Sequence, residues 1–145
     1  MPCEAVRPSV AKATSNLVIM SNFSFFDLQA YKEAKLLVKD VYELLAKFPK
    51  YEVYALGDQL RRAVVSVPSN IAEGSGRGSV KEKIHFLEIA YGSLTETLCQ
   101  IDIAHDLGYI TDTEFQSTQN RVDKVGKMLS GLRNSFKKQL TTSNP

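Results

Sequence analysis

The sequence predicts an all-α protein, and more specifically an up-down bundle of four helices. Apolar residues recur at spacings of three and four along four stretches that begin at Asp27 and reach about Lys138. Proline, glycine and Ser/Thr-x-x-Glu signals separate these stretches. We find no alternation of apolar and polar residues that is typical of a strand. A chain of 145 residues, 43% hydrophobic and 23% charged, suits one folded domain and excludes a disordered or collagen-like protein.

The first predicted helix runs from Asp27 to Phe48. Pro49 ends it, because proline lacks an amide hydrogen and disfavours helical geometry in the residue before it. Its predicted core face consists of Leu28, Tyr31, Ala34, Val38, Val41, Leu45 and Phe48.

The second predicted helix runs from about Glu52 to Glu73. Pro68 lies inside it, and because the apolar pattern continues past this proline we predict a kink rather than an end. Three glycines within residues 74–78 then predict a loop. The predicted core face consists of Val53, Leu56, Leu60, Val64, Val67 and Ile71.

Two capping boxes open the third and fourth helices. Ser79 and Glu82 form the first box, Thr111 and Glu114 form the second, and Gly108 is a suitable C-terminal cap between them. The predicted core face of the third helix consists of Ile84, Leu87, Tyr91, Leu94, Leu98, Ile101 and His105. That of the fourth consists of Phe115, Thr118, Val122, Val125, Leu129, Leu132 and Phe136.

The chain divides into three predicted parts. Residues 1–22 form a disordered leader, residues 23–140 form the bundle, and residues 141–145 form a frayed tail. We hypothesise that Met20 is the natural start. Two cysteines without a framework spacing, together with no long apolar run, favour the cytoplasm and argue against a membrane segment.

The centre of the chain carries a specific pattern. It comprises Phe48, Pro49, Glu52, the string from Leu56 to Ala63, the string from Ser66 to Gly74, Arg77 and the string from Phe86 to Leu94. This pattern closely resembles the family of 23S rRNA intervening-sequence proteins. It is similar, more distantly, to the accessory variability proteins of diversity-generating retroelements.

The resemblance implies a left-handed four-helix bundle that assembles as a homopentamer. It also implies a role without enzymatic activity, for which nucleic-acid binding is the usual proposal. Its retroelement relatives are understood to bind nucleic acid and a reverse transcriptase through a basic surface.

The residues themselves argue against catalysis, a metal site or a cofactor. His85 and His105 lie on the same predicted helix, about 30 Å apart along its axis. The motifs Glu82-x-x-His85 and Asp102-x-x-His105 have the spacing of di-iron bundles, but such a site needs them on facing helices. The sequence contains no hydrolase, zincin or phosphate-loop motif, so we expect no small-molecule substrate.

Basic residues are unevenly distributed although the net charge is only +2. The candidate nucleic-acid-binding residues are Arg77, Lys81, Lys83, Arg121, Lys124, Lys127, Arg133, Lys137 and Lys138. A solvated helix face is the alternative explanation. If the chain assembles, repetition of the patch strengthens its field and favours binding to phosphates rather than to bases.

A polar stripe follows the second helix and is a candidate subunit interface. It consists of Arg62, Ser66, Ser69, Asn70 and Glu73. An equally weighted alternative is that its short polar side chains satisfy backbone groups near Pro68. We therefore expect a homo-oligomer that binds structured RNA or DNA. The alternative function is a protein-interaction scaffold for a reverse transcriptase or a ribosome-associated factor.

Overall fold

The computed structural model describes residues 24–142, apart from the side chains of Phe26 and Asp27. The four helices are α1 (Gln29–Leu45), α2 (Leu56–Ser75), α3 (Val80–Asp106) and α4 (Asp112–Thr142). Short 3-10 helices at Ser24–Asp27 and Lys50–Glu52 precede α1 and α2. Within this part of the chain there is no strand. The predicted leader and the last three residues lie outside the described residues.

Each helix packs against two others. Helix α1 contacts α2 and α4, and α3 contacts the same two, so α1 and α3 are diagonal to each other within residues 24–142. This packing is compatible with the predicted bundle. Helix α2 continues through Pro68 as expected, while the kink there stays a prediction. No helix in the described range has the length and apolar character that crossing a bilayer requires.

The core confirms most of the predicted apolar positions, but the buried face of α1 is shifted: Leu37 and Leu44 are buried, while the predicted Tyr31, Val38 and Leu45 are half-buried. The largest fully buried apolar side chains of the core are Leu37, Val41, Leu60, Val64, Val67, Ile71, Ile101, Val125 and Leu129. The main correction concerns α3, where Tyr91 is 44% exposed while Ala90, Thr97 and Ala104 are buried. Because α3 packs against both α2 and α4, its buried face is wide enough to hold these small residues beside the large ones, Leu87, Leu94 and Ile101.

The start of α2 was predicted four residues too early. Residues Lys50–Glu52 form a 3-10 turn, and α2 begins at Leu56. The side chain of Glu52 accepts a hydrogen bond from the Leu56 amide at 3.1 Å, so it satisfies a donor at the helix N-terminus. Glu52 is therefore a capping residue outside the helix rather than its first member.

Gly74 was predicted to lie in a loop, but it is a buried residue inside α2. A Cβ atom at this position would lie 2.8 Å from the Cβ of Phe86 on α3. This glycine thus allows two helices to approach closely instead of forming a turn.

The predicted capping box at Thr111 and Glu114 is confirmed, and the one at Ser79 and Glu82 is confirmed for its N-cap bond, while the Glu82 carboxylate accepts from the Ser79 hydroxyl rather than from its amide. The Ser79 and Thr111 hydroxyls each accept a hydrogen bond at 3.1 Å, from the amides of Glu82 and Glu114 respectively. The Glu114 carboxylate returns the interaction by accepting from the Thr111 amide at 2.9 Å. These contacts fix the starts of α3 and α4.

The predicted C-terminal cap of α3 is also confirmed. Gly108 has a φ of +77°, which favours glycine. Its amide donates to the His105 carbonyl at 3.0 Å, and the Tyr109 amide donates to the Ala104 carbonyl at 2.9 Å. This pair of bonds is the Schellman arrangement that ends a helix.

Candidate nucleic-acid interface

Two basic residues in the middle of α4, Arg121 and Lys124, face helix α1. Arg121 donates through Nε to Asp40 at 2.8 Å and through Nη1 to Glu33 at 3.1 Å. The Lys124 ammonium lies 2.9 Å from the other oxygen of Glu33. These two candidate residues are thus brought against carboxylates of their own chain.

The pKa values of Glu33 and Arg121 are shifted by the hydrogen bonds within this cluster. The pKa of Glu33 is lowered, first by its hydrogen bond from Lys124; burial opposes this as the second-largest effect, and the hydrogen bond from Arg121 lowers the pKa further. The pKa of Arg121 is raised, first by its hydrogen bond to Asp40. Glu33 and Arg121 therefore both stay charged at neutral pH, and their charges compensate each other.

A different group of candidates gathers at the other end of α4. The Lys83 ammonium, at the start of α3, lies 5.9 Å from the ring centroid of Phe136 near the end of α4. It also donates to the Ser75 carbonyl at the end of α2, at 3.1 Å. The N-terminus of α3 and the C-terminus of α4 therefore meet, which their sequence separation did not reveal.

This meeting point defines the basic end of the bundle, which consists of Arg77, Lys81, Lys83, Arg133, Lys137 and Lys138. Residues 73–83 and 133–142 together hold these six basic residues and two acidic ones, Glu73 and Glu82. The side chains of Lys81, Lys137 and Lys138 are exposed. A concentration of cations on one end is the arrangement that attracts a polyanion.

The two arginines of the basic end are held differently. Arg77 pairs with Glu73 and places its guanidinium 4.6 Å from the ring centroid of Phe86. The Nε atom of Arg133 is buried and has no hydrogen-bond partner among the described residues.

Lys127, the remaining candidate, is exposed in the middle of α4 beside the groove between α3 and α4.

The opposite end of the bundle has the reverse charge balance. Residues 47–62 and 102–114 carry four basic and six acidic residues. Two of the basic residues, Arg61 and Arg62, pair with Asp58, and Lys47 pairs with Glu114. The net charge of +2 thus conceals a gradient along the bundle axis.

Aromatic residues also gather at this opposite end. The hydroxyls of Tyr51 and Tyr109 lie 3.1 Å apart, and the Tyr109 ring lies 5.3 Å from that of Phe48. The hydrogen bond with Tyr51 is the largest influence on Tyr109 and raises its pKa to about 12. Sequence reasoning missed this cluster, because its members lie in two connections far apart along the chain.

Three short polar residues of the candidate subunit stripe on α2 form hydrogen bonds within the chain. The Ser66 hydroxyl lies 2.9 Å from that of Ser93 on α3, and Asn70 donates to Ser66. Ser69 donates to the Val65 carbonyl at 2.8 Å. The expected outward stripe is therefore partly turned toward α3. Ser69 and Asn70 bond to the carbonyls of Val65 and Ser66 rather than to that of Val64, which Pro68 leaves without an amide donor, so the alternative local role stays a prediction.

The two charged members of the stripe have partners within the chain. Arg62 pairs with Asp58 at 2.8 Å, and Glu73 pairs with Arg77. A role of these residues in a subunit contact stays a prediction.

The histidine motifs remain on one helix. Asp102, His105 and Asp106 place one donor atom each within 4.8 Å of one another. The His105 Nε2 atom also lies 2.6 Å from a carboxylate oxygen of Asp112, and its ring stacks on Phe115 at 4.6 Å. These contacts give His105 a structural role in joining the end of α3 to the start of α4.

Sequence reasoning also missed Glu33 and Asp40, which decide the availability of Arg121 and Lys124. Their spacing of seven residues places both on one face of α1, and this was the available signal. Which helix that face meets depends on the packing.

The comparisons with known proteins agree on a family and a fold. The family model described as 23S rRNA-intervening sequence protein matches residues 26–131. A protein of unknown function from the S23 ribosomal protein family of Bacteroides thetaiotaomicron has a similar crystal structure, with a TM-score of 0.67 at 20% sequence identity. The match covers 72% of this chain and 97% of that one. No curated protein matches the chain significantly.

Proposed function

Because the chain belongs to the 23S rRNA-intervening sequence protein family, we propose that it is a non-enzymatic homo-oligomer that binds structured RNA or DNA. The basic end is the proposed contact surface. The proposed assembly is the pentamer implied by the resemblance, and the proposed compartment is the cytoplasm. The observation that carries the proposal is the meeting of the start of α3 with the end of α4, where Lys83 approaches Phe136 and where Lys81, Lys137 and Lys138 are exposed.

The chemistry of the basic end favours phosphate contacts. Its exposed lysines are point charges that suit phosphate oxygens. Such contacts position a protein on a helical nucleic acid without reading its sequence. An assembly would repeat the basic end once per copy, which increases both affinity and dependence on salt.

Fluorescence anisotropy with a labelled ribosomal RNA hairpin tests the proposal. Binding should be micromolar or tighter at low salt and should weaken steeply as salt increases. Lys138→Glu, at the basic end, should weaken binding and reduce the dependence on salt. No binding at low salt contradicts the proposal.

Lys50→Glu is the matched control for Lys138→Glu. Both lysines are exposed, and each substitution changes the net charge by the same amount at opposite ends of the bundle. The control should bind RNA nearly as well as the natural protein. Equal losses in both variants would indicate that net charge, rather than the basic end, determines binding.

A protein-interaction scaffold is the second candidate function. The exposed tyrosines at the opposite end favour it, since Tyr51 is 72% exposed and Tyr54 is 93% exposed. Tyrosine is enriched at the energetic centres of protein interfaces. Partner binding that persists at high salt and fails in Tyr54→Ser would support this candidate over the first.

A further inference from the structure

An apolar groove runs along the outside of the bundle between α1 and α2. Its volume is about 670 Å³, and its apolar lining includes Tyr42 and Val65, which are 44% and 38% exposed. The side chains of Lys35 and Lys39 stand at its rim on α1. A concave apolar surface with a charged rim is typical of an interaction site.

A second apolar surface lies on the outside of α3. Ile89, Ile103 and Leu107 are 37%, 42% and 55% exposed. At 100° per residue, these three positions fall within about 40° of one another, with Ile89 about 21 Å along the axis from the pair formed by Ile103 and the C-cap residue Leu107. Gly92, also exposed, lies near the same face and presents no side chain. This helix is therefore apolar both toward the core and on part of its outer face, as expected for a helix that is covered.

The two surfaces carry opposite charges. The groove has Lys35 and Lys39 one helical turn apart, and α3 has Glu88 and Glu96 on either side of Gly92. Within residues 24–142, none of these four charged residues forms an ion pair.

The nearest contacts of two of these charges leave them available for a partner. The Lys35 ammonium lies 5.1 Å from the ring centroid of Tyr31, and the Glu96 carboxylate accepts from Gln100 at 3.0 Å. Neither contact neutralises the charge, so both residues can pair with an opposite charge on another molecule.

We infer that these surfaces bind each other in neighbouring copies of the chain, so that α3 of one copy occupies the α1–α2 groove of the next. The inference rests on the homo-oligomeric part of the proposed function and names the surfaces that form the contact. Exposed glycine at position 92 lets the helix approach the groove closely. The carboxylates on either side of it then meet the lysines at the groove rim.

This contact joins two different patches, so it is heterologous. A heterologous contact forms a ring when its rotation closes and a filament when it does not. Neither patch includes a residue of the basic end. Every copy in a ring would therefore keep its basic end available for nucleic acid.

A charge-swap experiment tests the inference on the full chain. Four proteins are compared by light scattering at equal concentration: the natural chain, Lys35→Glu/Lys39→Glu, Glu88→Lys/Glu96→Lys, and the combination of all four changes. We expect the natural chain and the four-fold variant to have the same multiple of the 16.1 kDa chain mass. Each double variant should shift toward the single-chain mass, because like charges then oppose each other across the contact.

Three outcomes would overturn the inference. The natural chain could be monomeric, which would leave the groove to residues 1–23 or to a foreign partner. The double variants could keep the natural mass. The four-fold variant could fail to recover the mass of the natural chain although it retains the natural helix content and melting temperature.

RNA binding is measured on the same four proteins. Unchanged masses with intact RNA binding would reject the inference and leave the nucleic-acid proposal standing. Masses that change as expected, together with no RNA binding by the natural chain at low salt, would have the opposite meaning.

Discussion

The middle and the end of α4 carry similar charges but meet different surroundings. In the middle, Arg121 and Lys124 contact Glu33 and Asp40 of α1. At the end, Lys137 and Lys138 are exposed, and residues 133–142 contain no acidic residue. The number of basic residues therefore does not measure the charge that a partner can meet, because packing decides which of them are compensated by carboxylates.

The largest expected effect comes from reversing the charge at Arg121. Arg121→Glu would place three carboxylates together and should lower the free energy of unfolding by about 2 kcal/mol, as when a hydrogen-bonded charged group loses its partner. Lys138→Glu should change it by less than about 0.5 kcal/mol, as an exposed substitution usually does. Urea unfolding followed by circular dichroism measures both. Equal losses of unfolding free energy in the two variants would mean that the middle and the end of α4 do not differ in charge compensation.

Removing the two carboxylates of α1 would release the basic residues in the middle of α4 for binding to RNA. Glu33→Gln/Asp40→Asn frees Arg121 and Lys124, so RNA affinity should increase and the salt slope should steepen by up to about 2, one for each added phosphate contact. Glu43→Gln/Asp106→Asn is the matched control, since it removes two exposed carboxylates that pair with no lysine or arginine in the described chain. An equal increase in the control would attribute the gain to net charge alone.

Acidification should remove the stabilisation that the middle of α4 provides. The folded-state pKa of Glu33 lies below its ordinary value of 4.5, so the contribution is fully present above that pH and is lost as pH falls through the folded pKa. The stability difference between the natural chain and Arg121→Gln should be about 1 kcal/mol at pH 7. It should begin to shrink as pH falls below 4.5 and Glu33 takes up a proton. A difference that stays constant with pH contradicts the ion-pair explanation.

The smallest expected effect concerns a single lysine at the end of α4. Lys137→Gln should leave the melting temperature unchanged and reduce the salt slope of RNA binding by about 1. Lys50→Gln, at the opposite end, should leave the slope unchanged. A reduced slope in both would show that the two ends contribute equally.

The sequence predicted the helices well because their signals are local. Hydroxyl and carboxylate pairs three residues apart located the starts of α3 and α4, and Gly108 located the end of α3. The start of α2 was misjudged, because the capping carboxylate of Glu52 lies within a 3-10 turn that continues the apolar pattern.

The candidate site was less predictable because it depends on how the helices are rotated and aligned. The sequence identified the basic residues, but it did not show that Lys83 and Phe136 would meet or that Glu33 would face α4. Gly74 illustrates the same limit, since a local signal for a turn served a close contact between helices.

The carboxylate of Glu114 performs two tasks at the junction of two helices. It accepts from the Thr111 amide at the start of α4 and also pairs with Lys47, just after the end of α1. Fraying of the first turn of α4 would therefore release the neighbouring terminus as well. In amide hydrogen exchange, the two segments should open together as one cooperative unit. In Glu114→Gln they should exchange faster and independently.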